Sequence, residues 1–502
     1  MNQHMKLFLF ALLLAASTVV AQAAPDLESG MGQAGDVPKG EIIPCSLLPG
    51  NIFPGAAHDY WIYVPRQYDP AVPACVYVNQ DGIQFDAPKV FDQLIAAKEM
   101  PVTIGIFVAP GKTAPVRPGT PPCYSRSLEY DGLGDAYARF LLEELLPDAQ
   151  RKTASGNRPI RLSSKGSDRC IGGASSGGIC AFTAAWERPE EFSRVYSAVG
   201  TFVALRGGNN YPWMIRKCEP KPIRIFLQDG TRDQNIYCGD WWTANQDMDR
   251  ALVFAGYEAS HAWGEEGHAS GGHAARVFPD AMRFLWKDWP AMPKVGNSRN
   301  AFLAGLVSPD ETWKPSEEKL PPPDTVLLAD GSRYVVQSAP DGSGKIRFVG
   351  ADGKQSIVDP TASAPSVLAL SPDHSLLFAA DNRSHRVYSY QIRPDGTLTA
   401  KQPRFFFHVP ANEDGCAISG IAVDRAGRLY AATSMGVQVC DGAGRVNCIL
   451  ATPPGRTGSL GFGGDKLSSL IIECNGKSFG RKLKVTGTRS DNPPSSSPPP
   501  CI

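Results

Sequence analysis

Cys170-Ile171-Gly172-Gly173-Ala174-Ser175-Ser176-Gly177-Gly178 is the stretch whose reading decides the fold. Within it, Gly173-Ala174-Ser175-Ser176-Gly177 spells Gly-x-Ser-x-Gly, followed at once by a second glycine and an apolar run. Such a pattern puts a serine on a sharp strand-to-helix turn, where a Cβ on either flanking glycine would meet packed neighbours. Ser175 is therefore a candidate nucleophile. Five residues alone fit a Gly/Ser-rich loop without chemistry equally well, so the surrounding sequence has to decide.

From residue 56 to 290, short apolar runs alternate with stretches of helical periodicity, which predicts an α/β domain on a mainly parallel sheet. The expected strands are Tyr60 to Val64, Ala74 to Asn79, Thr103 to Val108, Cys170 to Ala174, Arg194 to Val199, Ile223 to Gln228 and Glu258 to Trp263. Asp135 to Leu146, Trp242 to Gly256 and Ala274 to Trp286 carry apolar residues at helical spacing, each able to cover a sheet face. Three more features fall just past strand ends, at the carboxyl edge where parallel sheets bind ligands: Asp81-Gly82, Asp229-Gly230-Thr231-Arg232-Asp233, and Gly264-Glu265-Glu266-Gly267-His268. Serine, acid and histidine in that chain order are what a hydrolytic triad on such a sheet requires.

Asp233 is the expected acid, because Asp229 stands beside Gly230, where it serves as a turn cap. His268 is the expected base, with His273 of Gly271-Gly272-His273 as the reserve; Asp240 and Asp247 read as solvated or helix-capping. The chemistry needs these types: an imidazole must take the serine proton as the new bond forms, and the carboxylate fixes the imidazole tautomer. Two backbone N–H groups must face the developing oxyanion. The expected donors are Ser176, next to the nucleophile, and Ile83, after the Asp81-Gly82 turn. Arg126, in Arg126-Ser127-Leu128-Glu129-Tyr130-Asp131, is a candidate for lining the cleft, against a competing structural pair with Glu129. Trp241 and Trp242 are candidates for stacking on a sugar or an aromatic acyl group, against a competing role in the core.

Val78-Asn79-Gln80-Asp81-Gly82-Ile83, the Ser175 stretch, Gly230-Thr231-Arg232-Asp233 and Gly267-His268 together resemble the esterase D family, which includes enterochelin esterases, feruloyl and acetyl xylan esterases of carbohydrate esterase family 1, and mycolyltransferases. The likeness spans residues 40 to 290. It implies an α/β-hydrolase fold without the usual lid, a Ser175/Asp233/His268 triad and an oxyanion hole at Ile83 and Ser176. Asn79-Gln80 departs from the family, where many relatives are apolar, which weakens the assignment of the second oxyanion donor.

Residues 291 to 325, with Pro321-Pro322-Pro323, read as a linker. Beyond it, Tyr334-Val335-Val336, Leu376-Leu377-Phe378, Arg428-Leu429-Tyr430 and Leu470-Ile471-Ile472 recur at propeller-blade spacing within an all-β domain over 326 to 487. Pro365-Ser366 through Ser371-Pro372-Asp373, and Ser419-Gly420-Ile421-Ala422-Val423-Asp424, resemble segments of the SMP-30/gluconolactonase/LRE propellers. Serines at 366 and 419 stand where that family's metal-binding asparagine and aspartate would be, and its amino-terminal blades are missing. The expectation is therefore an incomplete propeller with no metal, whose open edge must be capped, paired or covered. Residues 488 to 502 read as a disordered Ser/Pro-rich tail.

Lys+Arg and Asp+Glu are both 50 in 502 residues, so no bulk field favours nucleic acid. Residues 1 to 24 read as a secretory signal cleaved near Ala23, and no later run is long enough to span a membrane. The mature chain is expected to be secreted or periplasmic. Its twelve cysteines suit an oxidising compartment, and their even number allows full pairing as disulfides. No Cys-x-x-Cys occurs, so a zinc site has little support. The expected activity is that of a serine carboxylesterase, without a cofactor, acting on a small-molecule or polysaccharide ester. A glycan- or partner-binding protein with an inactive hydrolase domain is the alternative, and a sugar lactonase the third reading.

Overall fold

The apolar runs of the first half form strands because both of their faces are covered, which is where β-branched and aromatic side chains pack best. The computed structural model describes residues 37–115, 117, 119–339, 343–359, 365–381, 384–411 and 413–495. The expected signal segment 1–24 and the end of the expected tail, 496–502, lie outside these residues. Strands β1 (Glu41–Leu47), β2 (Ala56–Val64), β3 (Cys75–Gln80), β4 (Thr103–Val108), β5 (Arg169–Ala174), β6 (Arg194–Ala198), β7 (Arg224–Gly230) and β8 (Glu258–Gly264) form one sheet. Its order is β8-β7-β6-β5-β3-β4-β2, with β1 beside β2. The run from β4 to β8 is parallel, whereas β2 and β1 pair antiparallel at one side.

Helices cover both faces. On one side α1 (Ala87–Ala96) and α6 (His273–Trp286) bury Phe91, Leu94, Phe278 and Leu285 against the sheet. On the other lie the helical stretch 136–149, α3 (Ser176–Glu187), α4 (Tyr211–Lys217) and α5 (Trp241–Ala255). A short α2 (Arg126–Tyr130) sits near the sheet's carboxyl edge, its Tyr130 hydroxyl against the Asp81 N–H at 3.3 Å. The parallel order brings the ends of β3, β5 and β7 to that one edge, which is what positions the candidate site.

The second half holds four four-stranded antiparallel sheets arranged in a ring, propeller-like. The expected repeats occupy equivalent places in them, as the strands Arg333–Ser338, Leu376–Asp381, Leu429–Thr433 and Ser469–Cys474. Each has outer-edge neighbours formed by hairpins of the same sheet.

Three sequence expectations need correction here. From Ala301 on, the segment read as a linker, 291–325, is part of the β domain: α7 (Ala301–Leu306) buries Leu303 and Leu306 in its core, and Lys314–Pro315 pairs with Lys477–Lys482. That pairing completes the fourth of the ring's four sheets, in keeping with the expected shortened propeller. The edge at Thr457–Gly463 is covered by the following stretch, with Leu320 against Gly461 and Glu318 accepting the Gly464 N–H. Of the expected disordered tail, Thr488 donates to Val423 O and Ser495 donates to Pro372 O. Finally, the eleven described cysteines are all free thiols, against the expectation of full pairing. Most are buried among apolar side chains, where a thiol behaves as a small hydrophobe.

The α/β part and the ring are tied together by polar contacts in a largely buried seam. Arg481 forks onto Glu219 at 2.7 and 2.9 Å, and Asn300 bridges Arg216 O and Asn447 O. Trp213 stacks on His408, ring centroids 4.0 Å apart, and Lys217 Nζ donates to His408 Nε2 at 2.9 Å. Among the described residues no helix is long and apolar enough to cross a membrane.

Candidate active site

Ser175 sits between β5 and α3 with φ 59° and ψ −122°, a conformation costly for a residue with a Cβ. Two glycines permit it. A Cβ on Gly173 would lie 2.7 Å from the Gly177 carbonyl carbon, and one on Gly177 would lie 3.1 Å from the Gln80 Cβ. The Ser175 N–H donates to Ala198 O at 2.9 Å, which anchors the turn to the end of β6. Cys170 and Cys180, flanking the turn, are buried core residues, and burial pushes the Cys170 thiol up to about 12.

The structure brings the three expected residues together. Ser175 Oγ lies 2.8 Å from His268 Nε2, and His268 Nδ1 lies 2.7 Å from Asp233 Oδ1. In the tautomer this requires, Nδ1–H donates to the carboxylate and Nε2 accepts the serine proton. The Asp233 side chain is fully buried, whereas His268 keeps 18 % of its side chain exposed toward solvent. Burial acts to raise the Asp233 carboxyl, but the hydrogen bond from His268, the neighbouring Asp229 carboxyl and the Gln234 N–H outweigh it and hold it below its ordinary range. The loops that carry Asp233 and His268 are joined directly: Thr231 N donates to Gly264 O, and Arg232 Nε donates to Glu265 O at 2.6 Å.

His273, the reserve base, stands elsewhere, at the start of α6 with Nδ1 3.2 Å from Gln228 Nε2. Asp229 accepts the Gly230 N–H at 2.7 Å, and Asp240 caps α5 by accepting the Thr243 N–H. Trp241 is buried with its ring edge-to-face on His268 at 5.6 Å, so it walls that imidazole rather than offering an open stacking surface. Trp242 turns to Trp263, 5.3 Å away, and does not reach the triad in these contacts.

The loop after β3 is held by residues the sequence left unassigned. Asn79 Nδ2 donates to Gln80 O, Gly82 O and Gln84 Oε1, and its Oδ1 accepts from Tyr77 OH. With its amide nitrogen toward β5, Gln80 donates to Gly172 O at 2.6 Å. The polar pair Asn79-Gln80 that departs from the family pattern thus braces this turn. Asp81 and Gly82 take φ 64° and 78°, and Ile83 follows with 40 % exposure.

Arg126 does not pair with Glu129, correcting the structural reading of that segment. Its Nε and Nη2 fork onto Asp81, each at 2.7 Å, and its Nη1 donates to Ser176 Oγ at 3.0 Å. Glu129 instead accepts from His58 Nε2 and the Gly111 N–H in the interior. The guanidinium therefore links the β3 loop to the first residue of α3, the two places from which the expected oxyanion donors come. Thr201 was also missed: its hydroxyl stands 3.4 Å from Ser175 Oγ and its N–H donates to Ser175 O. Its only sequence signal was a place shortly after a strand end.

Ser419 Oγ donates to Gly458 O at 2.9 Å, joining neighbouring sheets, and Ser366 Oγ is buried without a partner. No cluster of three or more metal-ligating side chains occurs among the described residues.

Comparison with known proteins divides the chain in the same way. Residues 56–275 match a family model described as "Putative esterase", and residues 323–474 match the SMP-30/Gluconolactonase/LRE-like region. No curated protein matches. Among solved structures, a ferulic acid esterase is 16 % identical, covering 50 % of this chain and 99 % of its own, with a TM-score of 0.39. An enterobactin esterase from Shigella flexneri is 17 % identical over 50 % of this chain and 62 % of its own, TM-score 0.37. A gluconolactonase from Xanthomonas campestris is 22 % identical over 32 % of this chain and 56 % of its own, TM-score 0.28. The chain thus spans less than two thirds of the latter two. An esterase-like region followed by an SMP-30/gluconolactonase-like region is what the chain contains, and the first match supports an ester hydrolase.

Proposed function

We propose that the protein is a serine carboxylesterase that works through an acyl-enzyme on Ser175. The observation that carries this reading is the continuous relay Ser175 Oγ, His268 Nε2, His268 Nδ1, Asp233 Oδ1, with both contacts at ordinary hydrogen-bond length. The Ser175 oxygen attacks the ester carbonyl while His268 takes the hydroxyl proton, and the imidazolium formed is balanced by the Asp233 carboxylate. His268 then returns that proton to the leaving alkoxide, and water enters by the reverse sequence to release the acid. The backbone N–H groups of Ser176 and Ile83 receive the oxyanion. Ser176 is the first residue of α3, so its N–H has no partner within the helix and is free for this role.

The substrate class we favour is an acyl ester of a carbohydrate or similar polyol, and the protein is proposed to act after export. Ser175→Ala tests the core of the reading: hydrolysis of p-nitrophenyl acetate is expected to vanish with the fold intact by circular dichroism. Full activity in that variant would sink the assignment.

A further inference from the structure

Asp229 closes β7 four residues before the triad acid and is fully buried. Its Oδ1 accepts the Gly230 N–H, but its Oδ2 has no donor. The same is true of two other buried oxygens, Asp233 Oδ2 and Asn245 Oδ1. The two carboxyl groups are within hydrogen-bonding reach of each other, and the Asn245 side chain reaches Asp229. Both Asn245 N–H groups are already committed, to Gly200 O at 3.0 Å and Trp241 O at 3.1 Å. Two carboxyl oxygens, Asp229 Oδ2 and Asp233 Oδ2, thus lie buried in neighbouring groups with no donor assigned to either, and a buried acceptor left unpaired is expensive. Two ionised carboxylates in contact in a dry site would add direct repulsion. A single proton removes both difficulties.

We propose that Asp229 is a protonated carboxylic acid at neutral pH that donates its proton to Asp233 Oδ2, making it the positioning residue of the triad acid. Asp229 rather than Asp233 holds the proton, because Asp233 already receives His268 Nδ1–H and the Gln234 N–H, which stabilise its charge. Asp229 has only one backbone donor and lies deeper. Burial, then the hydrogen bond with Asp233, pushes the Asp229 carboxyl up to about 9. The groups that face it are Asp233 on its own loop, Asn245 from α5 and, through Asp233, His268 from the loop after β8. No cation among the described residues forms an ion pair with it. The consequence for catalysis is geometric: with Oδ2 pinned from behind, Oδ1 stays aimed at His268 while the imidazolium forms and decays, and Asp233 remains the charged partner.

This inference rests on the Ser175/His268/Asp233 reading, so its test combines a readout that needs no turnover with one that does. Infrared spectra of the full chain at neutral pH are expected to contain the C=O stretch of a protonated, buried carboxylic acid, and Asp229→Asn is expected to remove it. Absence of that band from the parent protein overturns the proposal. The asparagine amide reproduces the donor without a titrating proton. Asp229→Asn is therefore expected to keep kcat within about threefold on p-nitrophenyl acetate, and to lack the fall in kcat with midpoint near 9 that is expected of the parent. Asp229→Ala, which leaves Asp233 Oδ2 bare, is expected to lose about a hundredfold in kcat with KM little changed. If Asp229→Asn falls as far as Asp229→Ala, a charge was needed and the proposal is wrong. It is wrong too if Asp229→Ala turns over like the parent. Should the alanine variant fail to fold, the infrared band and the pH profile of Asp229→Asn decide. A Ser175→Ala variant that still hydrolyses ester would remove the serine reading while leaving the infrared result standing, so the two failures are distinct.

Discussion

Replacing Arg126 by methionine keeps an aliphatic stem and removes the fork that joins the β3 loop to α3. The guanidinium makes two bonds of 2.7 Å to Asp81 and one of 3.0 Å to Ser176 Oγ. Hydrogen bonds to charged groups contribute about 1.5–3 kcal/mol each when sheltered. Here the side chains keep 38 % and 19 % exposure, and solvent screening reduces the net loss of stability to about 1 kcal/mol. The rate should suffer more. Asp81 and Gly82 hold left-handed conformations just before Ile83, the proposed oxyanion donor, and without the fork that donor is expected to be less well aimed. Losing an oxyanion donor outright costs about 2.7–4 kcal/mol, so misaiming one is expected to cost about 1.4 kcal/mol, a tenfold fall in kcat. Steady-state kinetics on p-nitrophenyl acetate, with a thermal melt as control, measure both. The expected result is kcat lowered about tenfold, KM within about twofold and Tm lowered by about 2 °C or less. An unchanged kcat would refute the reasoning. A rise in KM alone would also refute it and would return Arg126 to the substrate-binding role read from the sequence.

Gly173→Ala drives a Cβ into the Gly177 backbone at 2.7 Å, and should cost about 1–3 kcal/mol in a denaturant melt together with most of the activity, because the turn carrying Ser175 must move. His408 is pushed down to about 4 by burial and by the neighbouring Lys217. A folded-state value below the unfolded one means that stability is present above about 6.5 and is lost as pH falls through about 4, by at most about 3 kcal/mol. His408→Gln, which can still accept from Lys217, should flatten that acid limb in stability measured from pH 7 to 4. The free thiols make a third expectation: unreduced, denatured protein should titrate with at least eleven thiols, and the native protein with a fast-reacting Cys123, the exposed one among the described cysteines. A count near zero would restore the disulfide reading.

Much of the hydrolase part was legible because parallel strands buried on both faces write themselves as continuous apolar runs. Thr103–Val108 has the expected bounds, and the other six expected strands differ by a few residues at most. Ser175, Asp233 and His268 were legible for a related reason, since each follows a strand end and the chain order of the three is fixed by the sheet. What stayed hidden are side-chain partnerships formed across loops. Arg126 lies three residues from Glu129 in sequence, which suggested that pair, but α2 turns the two side chains apart and delivers Arg126 to Asp81, 45 positions away. Asp229 looked like a turn cap and is one; its second oxygen, facing Asp233, has no sequence signature. In the ring, the period of the repeats was visible, but the strand that completes the fourth sheet was not, because Lys314–Pro315 is only two residues long and sits in a Pro-rich stretch.

The central claim is that Ser175 is a nucleophile activated by His268. Intact-mass measurement of the full chain after reaction with a fluorophosphonate probe tests it most directly. The account predicts a single adduct, mapped by peptide sequencing to Ser175, absent from Ser175→Ala and strongly slowed in His268→Ala. An unmodified chain under conditions that label a known serine hydrolase, or an adduct on another residue, would contradict it.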